Sequence, residues 1–162
     1  LLFTDTDSFG IYIETEDMYR DMAENLDMFD TSNYPKDHFL YSEANKKVYG
    51  KFKDEAAGVP IMEFCGLRAK MYSFLLRGGK EHKTAKGIKK SYCKNRLTHL
   101  DYLKTAIGGN VRSFVEFNTI RSTNHQLGSY RLKKVGLCRY DDKRHVQGIT
   151  SLAHGHQLIQ TA

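Results

Sequence analysis

Leu1-Leu2-Phe3-Thr4-Asp5-Thr6-Asp7-Ser8-Phe9-Gly10-Ile11-Tyr12-Ile13 reads as a short apolar strand, an acidic turn, and a second strand whose Phe9, Ile11 and Ile13 alternate with a period of two. This pattern places Asp5 and Asp7 at the tip of a hairpin expected to be buried. Two carboxylates one residue apart in such a place repel each other and lose hydration, a cost that a cation or a proton offsets. Asp and Ser are equally at home in a plain polar turn. The local pattern leaves both readings open, and the rest of the chain has to decide between them.

The 162 residues, with 40% hydrophobic and 12% aromatic content, have the length and composition of one globular domain with a sizeable core. No apolar run nears the roughly 20 residues that cross a bilayer, and no initiator Met or signal-peptide pattern is present. Because the chain begins inside an expected core strand, the sequence suggests a segment of a longer polypeptide. Cys65, Cys93 and Cys138 are few, odd in number and widely spaced. They suggest an intracellular, reducing compartment without a disulfide framework. His154 and His156 have no cysteine nearby to build a structural zinc site.

Charge is unevenly spread. Residues 1–45 carry 11 acidic and 2 basic side chains, a net of −9, whereas residues 46–162 carry 8 and 23, a net of +15. An acidic segment followed by a surface suited to a polyanion makes nucleic acid the leading partner class. The densest basic stretch, Arg77 to Arg96, holds Lys80, Lys83, Lys86, Lys89, Lys90 and Lys94 against a single acid, Glu81. A solvated lysine face is the ordinary explanation of such a run. The near absence of interleaved acid favours contact with a phosphate backbone, with Lys83, Lys86 and Lys89 as the expected contacts.

Local patterns predict an α+β layout. Thr15 is the expected N-cap of a helix carrying Met18, Met22, Leu26 and Phe29, stopping near Asp30 before Thr31-Ser32-Asn33-Tyr34-Pro35. Residues 45–55 suggest a strand with one wet face, Ile61 to Leu76 a long strand region interrupted at Gly66, and Gly78-Gly79 a hairpin turn. Gly87 argues against one uninterrupted helix through the basic stretch. Thr98 caps an expected helix with Leu100, Leu103 and Ile107, ended by Gly108-Gly109. Val111–Arg121 and Ser129–Leu137 suggest two strands joined through Asn124–Gly128, followed by a strand end and a loose terminus.

Three chemistries compete for Asp5 and Asp7. Asp5, Asp7, Gly10 and Glu16 match positions 1, 3, 6 and 12 of a calcium loop, but Phe9 stands where an oxygen ligand is needed and no helix precedes it. An aspartate-nucleophile phosphatase or phosphotransferase also uses Asp-x-Asp after an apolar strand, with Asp141 and Asp142 as later acids, yet it requires alternating parallel strands and helices that the sequence does not suggest. Two-metal nucleotidyl transfer needs carboxylates at a hairpin tip and a nucleic-acid surface downstream, which the +15 segment could supply.

Phe3-Thr4-Asp5-Thr6-Asp7-Ser8 resembles motif C of family B DNA polymerases, the (Tyr/Phe)-x-Asp-Thr-Asp-Ser hairpin of the palm. Lys70-Met71-Tyr72 resembles the Lys-x-Tyr motif that follows it. The segments Asn45 to Glu55, Ala85-Lys86-Gly87-Ile88-Lys89 and Tyr140-Asp141-Asp142-Lys143-Arg144 are similar to the protein-primed branch, notably polymerases of Maverick/Polinton-type mobile elements. The resemblance spans roughly residues 1–146 in order.

It implies the C-terminal part of a palm (motif C hairpin, helix and β segment) over residues 1–76, a basic connector and small α+β thumb over 77–150, and a loose tail over 151–162. It also implies a DNA-directed DNA polymerase working on primer-template DNA and dNTPs, with a terminal protein as a further partner in the protein-primed branch. Asp7 would ligate Mg2+ and Asp5 would support the same site. Alternate strand residues lie about 7 Å apart along one face, so two such carboxylates share a metal site only when a turn tightens them. Lys70 and Tyr72 would grip the primer end, the first as a mobile cation and the second through ring and hydroxyl. The family's motif A Asp, motif B Lys helix and exonuclease domain have no counterpart in these residues, so the chain alone is not expected to polymerise. A noncatalytic DNA-binding remnant is the alternative from another class.

Overall fold

The computed structural model describes residues 1–5, 7–108, 112–140, 144–153 and 155–159. Thr6, Gly109, Val111, Asp141, Asp142, Lys143 and His154, which carry expectations stated above, lie outside them. The order of elements is β1 (Phe3–Asp5), β2 (Ser8–Gly10), α1 (Met18–Glu24), a 3-10 turn (Leu26–Met28), β3 (Phe29–Asp30), β4 (Phe52–Lys53), β5 (Ile61–Arg68), β6 (Met71–Leu76), β7 (Glu81–Ala85), α2 (Lys90–Arg96), α3 (His99–Ile107), β8 (Arg112–Thr123), β9 (Gln126–Cys138), β10 (Arg144–Gln147) and β11 (Thr150–Ala153). This is an α+β chain of small sheets: β1-β2, β3-β4, β5-β6-β7, β8-β9 and β10-β11. Among the described residues there is no βαβα layering of the kind the phosphatase reading needs, and no helix is long and apolar enough to cross a membrane.

The chain divides into two compact units, one of Leu1–Glu63 with Leu75–Lys80, the other of Phe64–Phe74 with Glu81–Ala162. In the first, Met22, Tyr34 and Leu40 form the core, joined by Met18, Tyr19, Leu26 and Phe29. The apolar stripe expected of one helix is thus shared by three elements. Asp17, not Thr15, caps α1, its carboxylate accepting from the N–H groups of Tyr19 and Arg20. The helix ends early because the Asn25 side chain donates to the Asp21 carbonyl, the local competition with the helix ladder that Asn favours.

Residues 45–55 differ from expectation, with only Phe52–Lys53 extended. Asn45 donates its amide to the carbonyls of Leu26, Asp27 and Phe29, and Lys47 and Gly50 adopt positive φ, so the segment is a loop tied to its neighbours. Lys53 extends to the buried Asp30, which also accepts from the Ser32 and Lys47 N–H groups. Tyr34 donates to Asp54, and burial followed by that carboxylate pushes its phenol well above the ordinary range.

In the second unit Cys65, Leu67 and Met71 turn one face of the sheet toward Ile88, Cys93, Leu97, Tyr102, Val115 and Leu137. Cys65, Cys93 and Cys138 are buried thiols. The break in the expected long strand falls at Ala69–Lys70, while Gly66 stays within β5 beside the Phe64 ring. Gly78 and Gly79 make the expected hairpin turn, both at positive φ. Thr98 caps α3 through a reciprocal capping box with Asp101, and Gly108 ends the helix. The β8-β9 ribbon runs longer than the sequence suggests, because Asn124 and His125 both adopt left-handed φ and close it in two residues. Gln126, Leu127 and Gly128 are therefore strand, not connector. β10 and β11 pair antiparallel where a strand end and a loose terminus were expected.

Candidate active-site hairpin and basic surface

β1 and β2 pair antiparallel with Phe3 opposite Gly10, Thr4 opposite Phe9 and Asp5 opposite Ser8. Gly10 lies directly against the Phe3 ring, where a Cβ would collide. The turn is tight: the Asp7 N–H donates to the Asp5 carbonyl at 2.8 Å and the Ser8 hydroxyl to the same oxygen at 3.2 Å. Asp5 is half-buried at the end of β1 and Asp7 is exposed in the turn. The hairpin is not the buried one expected. β2 ends at Gly10, and Phe9, Ile11 and Ile13 are each close to half exposed. Alternation marks a face that could be covered, but a three-residue pair supplies no second layer. The Phe9 ring meets Phe52 edge to face.

Oxygen donors from two carboxylates beside a tight turn suit a hard cation. Among the described residues no group of three or more His, Cys, Asp or Glu stands together as a metal cage.

Lys70 sits exposed at the tip of the β5–β6 hairpin with φ of 58°, a left-handed conformation that costs a non-glycine residue about 1 kcal/mol or more. Its carbonyl accepts the Lys86 N–H at 2.9 Å, which joins the backbone of the expected primer-gripping lysine to that of an expected phosphate contact. Tyr72 is only 9% exposed. Its ring stacks with Phe64 on one strand and His82 on another, at centroid distances of 5.9 and 6.5 Å, and His82 stacks in turn on Phe74 at 4.6 Å. The aromatic neighbours were not singled out from sequence, although strand alternation puts Tyr72 and Phe74 on one face.

Lys83 departs most from its expected role. Its side chain is 12% exposed, and its ammonium donates to Glu81 at 2.9 Å and to the Leu97 and Lys94 carbonyls at 2.6 and 3.4 Å. Leu97 is the C-cap residue of α2. A cation at a helix C-terminus satisfies orphan carbonyls and complements the dipole. Burial raises the Glu81 pKa, but the Lys83 ammonium and the His99 N–H outweigh it and hold the carboxyl below its ordinary value. The signal was present in the sequence, since residues 81 and 83 share a strand face. Lys86 and Lys89 are exposed, and the Lys89 ammonium donates to the Asn118 carbonyl at 3.1 Å.

Asp5 and Asp7 belong to the first compact unit; Lys70, Tyr72, Lys83, Lys86 and Lys89 belong to the second. No protein-family model, curated protein or solved structure matches this chain.

Proposed function

We propose that this chain is the C-terminal part of a family B DNA-directed DNA polymerase of the protein-primed branch, comprising the end of the palm and a small thumb. The observation that carries the reading is the β1-β2 hairpin around Asp5, Asp7 and Ser8, in which a tight turn sets one carboxylate at a strand end and the next in the turn. Lys70 at a strained hairpin tip, beside Lys86, adds a second motif in a setting suited to phosphate contact.

The two carboxylates fit part of a magnesium site, since Mg2+ keeps several waters and takes one or two carboxylates together with substrate phosphates. Asp7 would hold the ion with Asp5 in support, and an Asp from elsewhere in the polymerase would complete the set. When bound, the metal pair supplies activation of a primer 3′-hydroxyl and neutralisation of the leaving pyrophosphate. Lys70 pairs with a primer phosphate as a mobile cation. Tyr72, held in its ring stack, keeps rigid the strand that begins at the Lys70 tip. Lys86 and Lys89 neutralise duplex phosphates, while Lys83 anchors α2 and meets no DNA.

The test is primer extension in Mg2+ by the complete polypeptide that contains this chain, with and without Asp7→Asn, which preserves size and removes charge. Extension should be lost while primer-template binding persists. Retained extension overturns the assignment. An unaltered polypeptide that binds DNA but never extends a primer favours the noncatalytic DNA-binding reading.

A further inference from the structure

The β8-β9 ribbon has two unlike faces. Directly opposed residues of an antiparallel pair share a face, so the register groups Phe117 with Leu132 and Thr119 with Tyr130, and on the other side Glu116 with Lys133 and Asn118 with Arg131. Glu116 is the only carboxylate in either strand, and Arg131 binds it at 2.7 Å. The face that carries Phe117 therefore has no acid.

The Gly87–Lys89 turn meets this face around an open groove of about 420 Å3. Ile88, Phe117 and Leu132 give the groove its apolar surface, and Lys89, Arg121 and Lys134 bring three cations to it. The Lys89 ammonium is fixed on the Asn118 carbonyl, and Tyr92 packs on the Phe117 ring with centroids 6.1 Å apart. One same-face step farther along the ribbon, about 7 Å at strand spacing, the Tyr130 ring lies over Gly128, whose missing side chain leaves it room.

Any one of these cations could be an ordinary solvated lysine or arginine. Their arrangement is less ordinary: three positive groups and, among the described lining residues, no carboxylate, beside the Phe117 ring and one same-face step from Tyr130. Phosphates require the cations, and an unpaired base requires the rings, since every base has a π-face that stacks on an aromatic side chain. A duplex would satisfy only half of this. It turns phosphates outward and keeps its bases stacked inside, so the Phe117–Leu132 surface would stay wet.

We propose that this face is a binding track for single-stranded nucleic acid, in which Lys89, Arg121 and Lys134 hold phosphates and Phe117 and Tyr130 take base faces. The track does not involve Asp5 or Asp7 and stands whether or not the chain is part of a polymerase.

The experiment is fluorescence anisotropy of the full chain with labelled oligothymidylate of about 12 nucleotides, and with a duplex of the same length, over a range of salt. Phe117→Leu keeps apolar volume and removes the ring; Tyr130→Ala alters an exposed side chain. Each should weaken oligothymidylate binding by about tenfold while leaving duplex binding unchanged. Arg121→Gln with Lys134→Gln should lower the slope of log affinity against log salt by ~0.7 for each phosphate that is no longer neutralised. Circular dichroism checks that the variants fold, and Tyr130→Ala decides the matter if Phe117→Leu does not. The inference is overturned if the ring variants bind oligothymidylate as the parent does, or if they weaken duplex binding equally. Asp7→Asn should bind oligothymidylate normally, so failure of this inference and failure of the polymerase reading register in separate assays.

Discussion

Replacing Lys83 with Met separates a structural lysine from the neighbouring lysines proposed to meet DNA. Met keeps most of the aliphatic stem and removes the ammonium, which makes two short charged hydrogen bonds, 2.9 Å to Glu81 and 2.6 Å to the Leu97 carbonyl, on a side chain only 12% exposed. Hydrogen bonds involving a charged group contribute about 1.5–3 kcal/mol each. Glu81 keeps the His99 N–H and is 28% exposed, so it regains some hydration after the change. The expected loss is then about 2–4 kcal/mol, at or below the range for breaking a fully buried pair and well above the 0–1 kcal/mol of a surface pair. Adding Glu81→Gln should recover about 1 kcal/mol or more in a double-mutant cycle, since no carboxylate is then left without its cation. Urea unfolding measures these values. Salt titration of duplex binding should show no change of slope for Lys83→Met, whereas Lys86→Gln and Lys89→Gln should each lower it by ~0.9 at nearly unchanged stability. A Lys83→Met variant as stable as the parent, with a shallower salt slope, would refute the assignment and return Lys83 to the proposed DNA contacts.

Asp30 supplies a pH test. Hydrogen bonding by Ser32, then the Lys53 ammonium, holds its carboxyl well below the ordinary range. Its stabilisation is therefore complete above the unfolded value of about 4 and is lost as pH falls toward the depressed folded value. Asp30→Asn should flatten the stability profile between about pH 5 and 2; parallel profiles for parent and variant would count against the network. At the ribbon turn, His125→Gly should raise stability by about 0.5–1 kcal/mol, because glycine adopts the left-handed φ of 63° without a Cβ penalty. A loss in thermal or urea unfolding would mean that the His125 side chain contributes something the turn geometry does not reveal.

Local grammar made several elements legible. The Thr98–Asp101 capping box, the terminator at Gly108 and the Gly78-Gly79 turn each depend on residues within one turn of chain, so their chemistry can be read in order. The hairpin around Asp5 and Asp7 was legible for the same reason. Its environment was not: Phe9, Ile11 and Ile13 alternate like a covered face and are close to half exposed, because burial depends on what another part of the chain brings. α2 escaped detection because its seven residues carry three cations and a single buried side chain, Cys93, which leaves almost no periodic apolar signal.

By itself the sequence determined the acidic motif and its turn, the segregation of charge, and the caps and breakers that delimit α3 and the glycine hairpin. Only the tertiary structure decided what each basic residue does. Lys83, Lys86 and Lys89 look alike in the sequence, at one every three residues. A mid-strand position, a turn and a helix start point them differently: Lys83 to Glu81 and the carbonyls that close α2, Lys86 to solvent, and Lys89 to the edge of the ribbon groove. A charge belongs to a residue, but its partner is set by the direction of the backbone that carries it and by elements far away in sequence. That is why Asn118, 29 positions beyond Lys89, is the residue that fixes it.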